Sequence, residues 1–176
     1  NSTDLSEDTC TNNFATWDYN TGYLQGDATA FTAGNLIRQG GSTYNACVGT
    51  IGINPFSNTN KWYYEFESSA TINGSSNEIL FGLISTTTML AGSHADTHIF
   101  SGDSGNFVRY ASQSIAGEGS VSAGGIVGIL LECGANPVFK IYKNDQLKWT
   151  KTHGSGGVTF EDEFYLPYIA PASTSL

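Results

Sequence analysis

The chain has 176 residues, the length of one domain with room for a short arm, and its 39% hydrophobic and 12% aromatic residues suffice for a single core. Only 13% of the residues are charged and 21 are Gly, which argues against a coiled coil or helical bundle and suits an all-β domain rich in turns. With 7 Lys and Arg against 16 Asp and Glu, the net charge of −9 disfavours phosphate backbones and anionic membrane surfaces as partners.

Residues 1–9 are polar, with Asp4, Glu7 and Asp8, and read as a linker or arm. Structure is expected to begin near Phe14-Ala15-Thr16-Trp17. Residues 31–38 and 44–53 are candidate strands, broken from the next by Gly and Asn clusters. Lys61–Ser68 is the clearest strand: its alternation puts Trp62, Tyr64 and Phe66 on one face and Tyr63, Glu65 and Glu67 on the other. Residues 78–85 follow, with Gly82 inside, and then the weaker run 106–112. Residues 126–132 are apolar on both faces and predict a central strand buried on both sides. Val138–Lys143 and residues 146–150 flank Asn144-Asp145, two residue types that tolerate left-handed backbone, so a tight hairpin is predicted there. The last strand is predicted over 163–170; Pro167 removes a ladder donor and points to an edge or a bulge. Residues 91–105 and 114–125 are Gly- and Ser-rich and read as loops, and no segment has a useful helical period.

About ten short strands with regular turn signals predict a two-sheet antiparallel β-sandwich. The longest apolar run, 126–131, falls far short of the ~20 residues a membrane helix requires. The chain opens on Asn1 with no initiating Met and is expected to be a processed product or a piece of a longer protein. Cys10, Cys47 and Cys133 lack the close spacing of a zinc or redox motif. They read as buried free thiols, with one disulfide involving Cys10 as the alternative.

Five segments in order carry a family resemblance. They are Lys61-Trp62-Tyr63-Tyr64-Glu65-Phe66-Glu67, Ile79-Leu80-Phe81-Gly82-Leu83-Ile84, Gly125-Ile126-Val127-Gly128-Ile129-Leu130-Leu131-Glu132, Phe139-Lys140-Ile141-Tyr142-Lys143-Asn144-Asp145 and Phe164-Tyr165-Leu166-Pro167-Tyr168-Ile169. The series resembles the SPRY domain, whose sandwich is of the concanavalin A-like group. Thr9-Cys10-Thr11-Asn12-Asn13-Phe14-Ala15-Thr16, with Gly34-Asn35-Leu36 further on, is similar to the opening of SPRY-like domains in tailed-phage and marine viral structural proteins, where a Pro usually stands in place of Cys10. Two other positions depart from the family pattern: Gly124-Gly125 replaces its Gly-Asp, and Asn144-Asp145 its Asn-Gly turn. The resemblance divides the chain into an arm or linker over 1–11, the sandwich over 12–171 and a tail over 172–176. It implies a binding module rather than an enzyme, with partners read by variable loops at one edge of the sandwich.

Several residue groups invite chemistry. In His94-Ala95-Asp96-Thr97-His98 an extended backbone would put both imidazoles and the carboxylate on one face, a partial Zn²⁺ site with no distal ligand; a polar loop is the simpler reading. Glu65 and Glu67 share a strand face at a spacing that a retaining glycosidase could use, but the Glu-x-Asp-x-x-Glu pattern of sandwich glycosidases is absent. Glu161-Asp162-Glu163 reads as a solvated turn without calcium-loop spacing. Residues 117–125 do not open a helix and are no phosphate loop, and Asn73-Gly74-Ser75 is a glycosylation sequon only in a secreted eukaryotic setting. Most of Trp17, Trp62, Trp149 and the Tyr residues are expected in the core, with exposed rings near 94–107 or 40–44.

The expectation is therefore a non-enzymatic module of a virus particle, on a tail fibre, spike or capsid surface. It would sit on the virion surface or be extracellular and contact host-surface glycan or a neighbouring virion protein. No cofactor, metal or catalytic residue is expected, nor nucleic acid or membrane insertion, and homo-oligomerisation would come through the parent assembly. The contact surface is predicted on the long loop 86–104, through His94, Asp96, His98 and Asp103, with Phe100 or Phe107 as the ring. A polysaccharide hydrolase of the same sandwich group and a cellular SPRY domain gripping a partner peptide are the alternatives.

Overall fold

The computed structural model describes residues 31–32, 37–38, 47–57, 59–69, 71, 79–90, 98–103, 106–109, 113–115, 121–155 and 157–171. Strands β1 (Phe31–Thr32) and β2 (Ile37–Arg38) pair antiparallel with each other, so the chain reverses within the run predicted as one strand. Next come β3 (Cys47–Val48), β4 (Lys61–Ser68), β5 (Ile79–Ser85) and a five-residue helix α1 (Thr86–Leu90). Strands β6 (Ile99–Asp103), β7 (Asn106–Arg109), β8 (Gln113–Ile115), β9 (Gly125–Glu132), β10 (Val138–Lys143), β11 (Gln146–Thr152) and β12 (Tyr165–Pro171) complete the order.

The strands form the predicted all-β sandwich of two antiparallel sheets, one of four strands ordered β11-β10-β9-β4 and one of six ordered β3-β12-β5-β6-β7-β8. The alternation of β4 sends Tyr64 and Phe66 inward and leaves Tyr63, Glu65 and Glu67 outside. Across from them, Ile79, Phe81 and Leu83 of β5 and Tyr165 and Ile169 of β12 close the core, with Val127, Ile129, Leu131, Phe139 and Ile141 from the facing sheet. Burying these side chains is the main stabilising term.

Four expectations are corrected. The strand buried on both faces is β5, not β9: Leu80 and Ile84 pack with Val48, Tyr168 and Ala170 in a second cluster on the outer side of the six-stranded sheet. In β9 the outward Ile126 and Leu130 are only half-buried, so full burial of its side chains is confined to the inner face. The predicted loop after β5 holds α1 and β6. Ser85 caps α1, its Oγ accepting the Thr88 N–H at 3.1 Å, and β6 forms because a ladder with β5 needs backbone rather than apolar side chains. Strand β8 likewise takes up the start of the loop predicted over 114–125, paired with β7. Pro167 stands inside the sheet rather than at its edge: its carbonyl accepts the Gly49 N–H at 2.8 Å, so its missing donor faces β3, which is only two residues long. The Asn144-Asp145 turn is as predicted, with φ of 48° and 62°.

Candidate functional site

The predicted contact loop divides. His94 and Asp96 lie outside the described residues. Asp103 and Phe107 stand on β6 and β7, opposite Asn106 and Gly102 respectively. His98 and Phe100 are in the core at 1% and 0% exposure, so neither ring faces a ligand. The His98 ring stacks on Phe160 at 4.1 Å between centroids, with Tyr165 edge-on at 5.2 Å. Phe100 packs against Phe81, Phe139 and Trp149. Their role is packing, because the β5–β6 ladder carries both residues inward.

The acidic run 161–163 is exposed at Glu161 and Asp162, and two of its side chains have partners in the fold. Asp162 accepts a hydrogen bond from Asn54 Nδ2 at 2.8 Å, and Glu163 Oε2 accepts from Thr87 N at 2.9 Å and Thr86 Oγ1 at 3.1 Å, closing the start of α1. Among the described residues no three of His, Cys, Asp and Glu gather as a metal would need. Cys133 is a free, half-buried thiol whose pKa burial pushes up; Cys10 lies outside the described residues.

A group of side chains open to solvent lies on the outer face of the four-stranded sheet. Tyr63 is 50% exposed, yet its position is fixed. Its hydroxyl donates to Glu65 Oε2 at 2.8 Å, and its ring lies against the backbone of Gly128 on the neighbouring strand, where a Cβ would come within 2.3 Å of the phenol oxygen. Tyr142 meets it edge-on at 6.2 Å, and Leu147, also 50% exposed, is in register with Tyr142. The Tyr63 phenol is pushed up to about 12, first by burial, then by the hydrogen bond to Glu65 and the charges of Glu65 and Asp145. At the other end of the face Glu132 bridges Lys61 at 2.8 Å and Lys140 at 2.9 Å. Chemically, this is a rigid aromatic and aliphatic ledge with carboxylates at one end.

Exposed rings are expected near 94–107 or 40–44; residues 40–44 lie outside the described residues, His98 and Phe100 are buried, and the exposed rings of Tyr63 and Phe164 stand elsewhere. The available signal was an aromatic residue on the polar face of β4, in line with Glu65 and Glu67. Trp62 and Trp149 do pack against the core. No protein-family model matches the chain, and no curated protein matches its sequence.

Proposed function

We propose that the chain is a non-enzymatic binding module, a SPRY-like sandwich of the concanavalin A-like group carried on a virus particle in a tail fibre, spike or capsid surface. In this reading it contacts host-surface glycan or a neighbouring virion protein. The observation that carries the binding role is Tyr63: a half-exposed ring held in place by Glu65 and seated on Gly128 is ready for a partner without further loss of side-chain freedom. Glu65 has a positioning task in this arrangement, because one of its oxygens already accepts the Tyr63 hydroxyl. The viral setting rests on the resemblance of the opening residues 9–16 and of the five-segment series.

The test is a glycan array and a binding assay against purified virion proteins, run with wild type and Tyr63→Ala, together with a reducing-sugar assay on algal and bacterial polysaccharides. The expected result is saturable binding to one class of ligand, weakened by Tyr63→Ala, with no sugar released. Release of reducing sugar that Glu65→Gln or Glu67→Gln abolishes would overturn the reading in favour of a hydrolase.

A further inference from the structure

The ledge around Tyr63 has a charge pattern that selects among partners. Glu65, Glu67 and Asp145 are all exposed at its end, and among the described residues none of the three is ion-paired with a Lys or Arg. Lys61 and Lys140 are both ion-paired with Glu132, Lys140 from a position level with Tyr63 across Leu130. A cation over the Tyr63 ring would meet the negative face of the π-system and carboxylates beside it, and the two attractions add. The apolar contacts, Tyr63 and Leu147, each stand half-exposed on the outer face of the sheet. Small-ligand and sugar sites are typically concave. A half-exposed Tyr on the edge strand β4, held by Glu65 and with carboxylates at one end, matches the chemistry of a protein interface, where Tyr is enriched among the residues that dominate binding.

We infer that the outer face of the four-stranded sheet docks a basic segment of a partner protein, with a Lys or Arg side chain laid over the Tyr63 ring beside Glu65 and Asp145 and an apolar neighbour against Leu147. This rests on the binding-module reading and narrows its partner from glycan or protein to a protein surface rich in Lys or Arg. The net charge of −9 favours encounter with such a surface over most of the molecule; Tyr63 makes one face specific.

The experiment follows backbone amide resonances of the isotope-labelled chain as a short oligo-lysine peptide is added, with its fully acetylated counterpart as control. The expected shifts centre on Tyr63, Glu65, Gly128, Tyr142 and Leu147 and vanish with the acetylated peptide. Glu65→Gln, Asp145→Asn and Tyr63→Ala should each weaken binding about three- to tenfold. Glu161→Gln, which removes an exposed carboxylate away from the ledge, should not. Asn suits the left-handed turn position of residue 145, so Asp145→Asn tests the charge with the fold kept. Shifts centred elsewhere, equal losses in Glu161→Gln, or neutral sugar oligomers moving the same amides more strongly than the peptide would each overturn the inference. If a virion protein binds wild type and Tyr63→Ala equally, this face is wrong while the binding-module reading stands. If no peptide, sugar or virion protein binds the wild-type chain, both fall.

Discussion

The hydroxyl of Tyr64, on the inward side of β4, donates a hydrogen bond to the carbonyl of Gly82 in the middle of β5, joining the two sheets across the core. Gly82 has φ of 137°, a backbone angle that L side chains rarely adopt. That conformation accompanies a carbonyl directed across the sandwich.

Tyr64→Phe keeps the ring and removes the donor to a buried carbonyl, so it should destabilise the fold by about 1–3 kcal/mol. Gly82→Ala should cost a similar amount, about 1–3 kcal/mol, through backbone strain. Urea denaturation measures both, and a Tyr64→Phe midpoint equal to wild type would show that the inter-sheet bond contributes nothing.

The hairpin between β10 and β11 supplies a second prediction. Asn144 and Asp145 both have positive φ, and the Asn144 side-chain oxygen also accepts the N–H of Ile126 on β9 at 3.0 Å. The turn therefore fixes three strands rather than two. Asn144→Ala loses the tie and strains the turn, with an expected cost of about 1–2 kcal/mol, whereas Asp145→Gly should be tolerated. Thermal unfolding of the two variants decides this: equal losses would mean that the side-chain tie to β9 is idle.

Much of this architecture was legible in the sequence where the signal is local. The alternation of Lys61–Ser68 marked its faces, and Asn144-Asp145 marked a turn whose geometry only a few residue types accept. Strand β6 was not legible, because its Gly and Ser residues carry no apolar period and only the ladder offered by β5 makes them a strand. For the same reason His98 and Phe100 read as loop residues while the structure buries them. The ledge was hidden differently. Alternation assigns Tyr63 to the outer face, but its seat on Gly128 is a contact between distant strands that no local pattern encodes.

Acid should weaken the fold through two carboxylates. Hydrogen bonds from Lys61 and Lys140 hold Glu132 below its ordinary value against a smaller effect of burial. Burial pushes Glu163 up, but hydrogen bonds from Thr87, Thr86 and Ser85 outweigh it and leave that carboxyl lowered too. A carboxyl lowered in the native state stabilises above its unfolded value, about 4.3 for Glu, and the contribution is lost as the pH falls through the native value. Lys61 is raised by its hydrogen bond to Glu132, so its contribution is present below the unfolded Lys value of about 10.4 and is lost as the pH rises through the native one. Glu132→Gln and Glu163→Gln should each flatten the acid limb of stability between neutral pH and about pH 3. Urea midpoints across that range test it, and an acid limb as steep as wild type in both variants would contradict the assignment.

The last prediction separates the ledge from the scaffold. A Cβ at Gly128 would lie 2.3 Å from the Tyr63 hydroxyl and 2.9 Å from two ring carbons, so in Gly128→Ala the Tyr63 ring must move. It has room to do so, because the ring is half-exposed, but moving it breaks the bond to Glu65. The expected cost in stability is modest, within about 1 kcal/mol. In a Tyr63→Ala background the clash is gone, and replacing a strand Gly by Ala should then be neutral or stabilising by up to about 1 kcal/mol. A double-mutant cycle on residues 63 and 128 should therefore show a coupling energy of about 0.5–2 kcal/mol. Binding should respond in the opposite proportion: Gly128→Ala displaces the ring and should weaken the partner nearly as much as Tyr63→Ala does, although the fold is hardly touched. Unfolding curves and titrations on the four proteins of the cycle check both halves. Additive stabilities, or full binding in folded Gly128→Ala, would mean that the seat of Tyr63 on Gly128 has no functional part.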